Sequence, residues 1–124
     1  MYSIGSVART GAVVVAGSDW SVSSLDPLDA IEVGMPRRGP DQARGPPFIP
    51  EERVGLDPLL QAYTAAGAYA MQQERETGTL EVGKADLVVL DRDLRTIPPS
   101  EIHRVKVLLT LLEGREVYCS AELP

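Results

Sequence analysis

The spacing of apolar and polar positions changes character twice along this chain. Near the start, Val13-Val14-Val15-Ala16 form four consecutive apolar residues between Gly11 and Gly17, and Ser18-Asp19-Trp20-Ser21 follow directly. An apolar run without alternation predicts a strand covered on both faces, as in a parallel sheet flanked by helices. An acid just beyond such a strand stands where barrel enzymes keep catalytic groups.

From residue 27 the spacing is helical. Asp26-Pro27-Leu28 and Asp57-Pro58-Leu59 repeat one helix-start signal, in which Asp accepts hydrogen bonds from free N–H groups and Pro fits the first turn. The first predicted helix covers 27–35 and buries Leu28, Ile31 and Met35, with Pro36 ending it. The second covers 58–73 and places Leu59, Leu60, Tyr63, Ala66, Gly67, Ala70 and Met71 on one face. Residues 1–10 suit the tail of a helix leading into the first strand. Between the helices, residues 36–50 hold five prolines with Arg37, Arg38, Asp41 and Arg44 among them, so a loop is expected.

From Leu80 the pattern becomes that of strands, at 87–90, 105–112 and 116–118. Glu113-Gly114 fits a two-residue hairpin turn between the last two. Pro98-Pro99-Ser100-Glu101-Ile102 can start only a short helical turn.

Gly17-Ser18-Asp19-Trp20, then Tyr63-Thr64, then Gly83-Lys84-Ala85-Asp86-Leu87-Val88-Val89-Leu90-Asp91 occur in an order that resembles the C-terminal portion of the metal-dependent amidohydrolase superfamily. Within it, the resemblance is to the branch acting on N-substituted amides and formamides. It implies an α/β chain: residues 1–79 as the last strand and helices of a TIM barrel, and residues 80–124 as strands of a small accessory β domain. The loop at 36–50 would then border the active site. The chain departs from the family pattern at Ala66, where Asn is common, at Pro36 before Arg37, where Thr is usual, and at Lys84-Ala85-Asp86, one residue shorter than usual.

Composition narrows this picture. A complete barrel takes roughly 250 residues, and this chain has 124. With 44% hydrophobic and 24% charged residues, it has the composition of a folded protein rather than a disordered one. The net charge of −6 is carried with no basic run longer than Arg37-Arg38, which argues against nucleic acid as a partner. No apolar stretch reaches the roughly 20 residues of a membrane span, and no secretory signal stands at the N-terminus. The single cysteine, Cys119, cannot form an internal disulfide, which fits a reducing, cytoplasmic setting. It reads as a thiol without function.

The resemblance assigns Asp19 two linked roles, at the metal and as the acid/base that takes a proton from the attacking water and passes it to the leaving nitrogen. Trp20 and Ser21 follow the acid; as substrate-binding positions they would meet a small-molecule amide, and the alternative for Trp20 is packing beneath the loop. The family's cofactor is a divalent metal, zinc. A zinc site takes about three protein ligands plus water, whereas this chain has one histidine. That residue, His103, is expected at the surface. The family's other metal-binding histidines and its lysine have no counterpart here, so the isolated chain is expected to bind no metal and to be inactive. The alternative is a non-catalytic remnant that self-associates or binds a partner, such as a separate N-terminal portion. Ser18 lacks a nucleophile elbow and a paired base, and Gly78, Gly83 and Lys84 lack the spacing of a phosphate loop.

Overall fold

A computed structural model describes residues 3–39 and 45–123. It is a small α/β structure of four α-helices and a three-stranded antiparallel sheet. The helices are α1 (Ile4–Arg9), α2 (Pro27–Gly34), α3 (Leu56–Tyr63) and α4 (Ala65–Ala70), and the strands are β1 (Leu87–Leu90), β2 (Val107–Leu112) and β3 (Arg115–Cys119). Two 3₁₀ helices, Pro50–Glu52 and Pro99–Arg104, connect them. Residues 40–44 of the Pro-rich segment, Asp41 and Arg44 included, lie outside the described residues.

Helix α2 forms as its sequence dictates. The Asp26 carboxylate accepts a hydrogen bond from the Leu28 N–H at 2.8 Å, with Pro27 at the first helical position. Leu28 and Ile31 are buried, and Met35 packs beside them. The second start signal works differently. Helix α3 begins at Leu56 with Gly55 as its cap, and Asp57 lies within the first turn. There its carboxylate pairs with Arg95 at 2.7 Å on the surface.

The continuous helix expected over 58–73 is broken at Thr64, whose φ of −127° and ψ of −97° are not helical. The Thr64 hydroxyl donates back to the Leu60 carbonyl at 2.7 Å, a side-chain bond that competes with the helical ladder. The chain also returns closely here. A Cβ on Gly78, whose φ is +89°, would lie 2.6 Å from Ala68 Cβ and 3.3 Å from the Thr64 carbonyl oxygen. The break rotates the buried face, so Ala62 and Ala68 are enclosed while Ala70 and Met71 are exposed.

One cluster of Leu28, Ile31, Val54, Leu59, Leu94, Ile102 and Val105 forms the core. Ile102, in the 3₁₀ helix before β2, is fully enclosed at 0% exposure. Val105 is a core residue rather than the start of a strand, because the 3₁₀ helix runs to Arg104 and β2 opens only at Val107.

The sheet order is β1-β2-β3. Leu87 faces Leu111 and Val89 faces Leu109 across the first pair, while Leu112 faces Arg115 across the second. Glu113 and Gly114 make the expected turn, with φ of 52° and 75°; two positive values are what a tight, right-twisted hairpin requires. Aspartates fix the ends of the ladder. Asp86 accepts the Glu113 N–H at 2.7 Å, and Asp91 accepts the Lys106 N–H at 2.9 Å.

The first apolar run does not form a strand. Residues 12–18 are without regular secondary structure, with Val13 60% and Val15 48% exposed, and no described strand lies alongside to supply a ladder. One backbone bond anchors the run, from the Ala16 N–H to the Ala62 carbonyl of α3 at 3.0 Å.

Candidate functional site

The segment from Val13 to Ala16 delivers a loop, residues 17–25, between two fixed points. One is the Ala16–Ala62 backbone bond, and the other is the Asp26 cap of α2. Within the loop the Val22 N–H donates to the Asp19 carbonyl at 2.7 Å, the Ser23 hydroxyl to the Ser18 carbonyl at 2.5 Å, and the Asp26 N–H to the Ser24 hydroxyl at 3.1 Å. Asp19 itself has φ of 49°. Left-handed backbone at a residue other than glycine is uncommon and costs of order 1–3 kcal/mol, though Asp tolerates it better than most.

Asp19, Trp20 and Ser21 are consecutive and all exposed, and the Trp20–Ser21 peptide is cis. Trp20 is 65% exposed, so its ring does not pack beneath the loop. The loop therefore holds the three side chains at the surface on one tight turn, next to exposed Val22 and Leu25.

The protein's buried acids lie elsewhere, and the sequence reading missed both. Glu32 on α2 is 2% exposed, and its Oε2 accepts two bonds from His103, one from the backbone N–H at 2.9 Å and one from ring Nδ1 at 2.6 Å. His103 is thus not a free surface residue. Its second ring nitrogen, Nε2, accepts from Arg104 Nε at 3.3 Å, which leaves the proton on Nδ1. The signal was present in α2: Leu28, Ile31, Glu32 and Met35 share one helical stripe, and a carboxylate in an apolar stripe demands a partner.

Glu52 is the second, at 6% exposure. It accepts from both the backbone N–H of Ser6, at 2.7 Å, and the Ser6 hydroxyl. These bonds, with the more distant Arg9 guanidinium, hold its pKa below the ordinary carboxylate value. Gly5 permits the approach, since a Cβ there would lie 2.9 Å from the Glu52 backbone. No pattern in the sequence announces this contact.

Lys84 is also structural. Its ammonium donates to the Glu74 carbonyl and the Thr79 hydroxyl, both at 2.7 Å, and lies 3.4 Å from Glu81, tying down the turn before β1. Thr79 and Lys84 together lower the Glu81 pKa. Cys119 ends β3 as an exposed free thiol.

An open apolar groove of about 520 Å³ runs between α1 with residues 11–14 and helices α3 and α4; Asp19, Trp20 and Ser21 are not among its walls. Among the described residues no group of three or more His, Cys, Asp or Glu side chains could hold a metal ion. Asp19 offers one carboxylate, and His103 and Glu32 are committed to each other. The residues described do not amount to a hydrolytic metal centre. No helix among them is long and apolar enough to cross a membrane.

Comparison with known proteins gives this loop its context. Over 109 residues the chain is 28% identical to a putative amidohydrolase, YtcJ, of Bacillus subtilis, covering 87% of this chain and 21% of that protein. Over 115 residues it is 30% identical to an N-substituted formamide deformylase of Arthrobacter pascens, covering 92% of this chain and 21% of that one. Over 118 residues it is 30% identical to the protein LONG AFTER FAR-RED 3 of Arabidopsis thaliana, with 94% and 20% covered. The chain thus spans about one fifth of the length of these relatives. No solved structure matches it. The model of the amidohydrolase family matches residues 1–118, nearly the whole chain, and the protein therefore belongs to the amidohydrolase family.

Proposed function

We propose that this chain is the last-strand portion of a TIM-barrel amidohydrolase together with strands of its accessory β domain, and that it contributes the acid/base carboxylate for hydrolysis of a non-peptide C–N bond. The observation that carries the reading is the placement of Asp19: an exposed carboxylate in left-handed backbone, shortly after an apolar run, in a chain of this family. Backbone held in a sparsely populated region often marks a functional position.

In this reading Asp19 takes a proton from the attacking water and returns it to the nitrogen as the C–N bond breaks. Trp20 offers an aromatic face, and Ser21 a hydroxyl, to a small amide or formamide. The name of the Arthrobacter relative, an N-substituted formamide deformylase, supports that substrate class. The residues described here do not fit a metal, so the metal-binding set of the family would come from sequence beyond these, in an N-terminal portion or a separate partner. The isolated chain is then inactive.

The test is to supply that portion by fusion or co-expression with the front of the Arthrobacter relative and to assay N-substituted formamide hydrolysis. Activity that Asp19→Asn lowers by at least about 10²-fold, the lower range for a proton-transfer group, supports the role. An active assembly indifferent to Asp19→Asn refutes it. A second reading, a self-associating remnant, draws on the exposed Val13 and Val15 of an apolar run that no described strand pairs. Sizing chromatography decides it, since a monomer at micromolar concentration rules out obligatory association.

A further inference from the structure

The loop that carries Asp19 makes its described hydrogen bonds within residues 18–28, so its position depends on what holds its two ends. At the first end, Ala16 is tied to α3 by the backbone bond to Ala62. At the second, the loop runs into α2 without a break, because Asp26 both ends the loop and caps the helix. The placement of α2 therefore sets the placement of the loop.

Helix α2 has eight residues, and its interior face rests on the 3₁₀ helix Pro99–Arg104. Apolar contacts through Leu28 and Ile31 favour burial without a directional bond, and Gly34 fits closely against Leu59 of α3, where a Cβ would lie 2.9 Å from the Leu59 side chain. The directional contact is Glu32. One carboxylate oxygen receives both the backbone N–H and the ring Nδ1 of His103 across a sequence gap of 71 residues, with Glu32 only 2% exposed and His103 partly buried. Two donors converging on one buried acceptor fix the helix along its axis and in rotation. At the far end, the Val54 N–H donates to the Gly34 carbonyl at 3.2 Å, which restrains the helix terminus but not its roll.

We propose that Glu32, through His103, is the positioning residue of the Asp19 loop: it locks α2 against the 3₁₀ helix and so holds the turn at residues 19–22 in place. The inference rests on the reading of Asp19 given above for its functional meaning. Its geometry does not depend on that reading, and neither does its test.

The test uses the Val22 amide, which donates to the Asp19 carbonyl and reports directly on the turn. Amide hydrogen exchange is followed by NMR in the wild-type chain and in Glu32→Ala, Glu32→Gln and Ser6→Ala. The Glu32→Ala chain is expected to exchange Val22 about tenfold faster, as local opening becomes easier, while the amides of β2 keep their protection. Gln retains an acceptor oxygen and is expected to restore the slow rate. Ser6→Ala removes the hydroxyl donor to the other buried carboxylate, Glu52, while keeping the backbone one, and is expected to leave Val22 unchanged. Equal Val22 exchange in wild type and Glu32→Ala would overturn the proposal, and so would acceleration shared by Ser6→Ala, which would mark a general loss of stability. Should Glu32→Ala fail to fold, His103→Ala removes the ring donor and keeps the backbone one. Faster Val22 exchange in that variant supports the proposal, and an unchanged rate refutes it. Failure of Asp19→Asn to affect hydrolysis, by contrast, would touch only the catalytic reading.

Discussion

Val13-Val14-Val15-Ala16 and Leu87-Val88-Val89-Leu90 are both four-residue apolar runs, yet only the second is a strand. Composition does not separate them, since the first is richer in β-branched residues. What separates them is a neighbour. Residues 107–112 lie antiparallel beside 87–90, whereas no described strand lies beside 13–16. A strand is thus a property of a pair, and an apolar run states only that a chain could take part in one. Under the proposed reading the first run is barrel strand awaiting its neighbours, and its exposed valines are the side chains those neighbours would cover.

The comparison can be broken most severely at Ile102, which joins the paired run to the rest of the molecule. Ile102→Ala removes a fully enclosed side chain and is expected to cost about 2–5 kcal/mol, read as a lower urea midpoint. A loss under about 1 kcal/mol would mean that the site collapses around the missing atoms and that the sheet is not anchored there.

A smaller effect is expected at the turn that brings β2 and β3 together. Gly114 has a φ of 75°, and an added Cβ would meet Ala85 Cβ at an ordinary 3.5 Å, so the strain of Gly114→Ala is in the backbone alone. About 1 kcal/mol of destabilisation is expected in urea unfolding. No change would show that the hairpin tolerates another turn geometry.

The third effect depends on pH. Bonds from Ser6 lower the pKa of Glu52 in the folded state, so the unfolded chain binds this proton more readily. The stabilisation is complete above the unfolded carboxylate pKa and is lost as pH falls through the lower, folded value. Ser6→Ala is expected to flatten the stability curve across that acid range and to narrow its gap from wild type as acid removes the contact. A gap that is constant with pH would show that Ser6 acts by packing alone.

These contacts divide by how far they reach along the chain. The Glu113-Gly114 turn, the Asp26 cap and the 3₁₀ turn after Pro98 were legible because each depends on adjacent residues, whereas the 87–90 strand was legible only as an apolar run and owes its pairing to residues 107–112. The break at Thr64 was not, because the Thr64 bond to Leu60 and the return of the chain at Gly78 outweigh the helical spacing of 58–73. Asp57 looked like a cap and became half of a surface ion pair, since Gly55 begins the helix two residues earlier. Glu32 was readable in part, as a charge in an apolar stripe, but its partner lies 71 residues away. Of the candidate site, the sequence placed Asp19 at a strand end with Trp20 and Ser21 after it, and the structure has the three on a surface turn instead; the Glu32–His103 pair was not located.

The central claim is that Asp19 contributes one carboxylate to a metal-dependent site that the described residues alone do not complete. Metal content by mass spectrometry, on the purified and dialysed chain beside Asp19→Ala, tests this most directly. The account predicts far less than one metal per chain in both proteins. One zinc per chain, lost on Asp19→Ala, would contradict it.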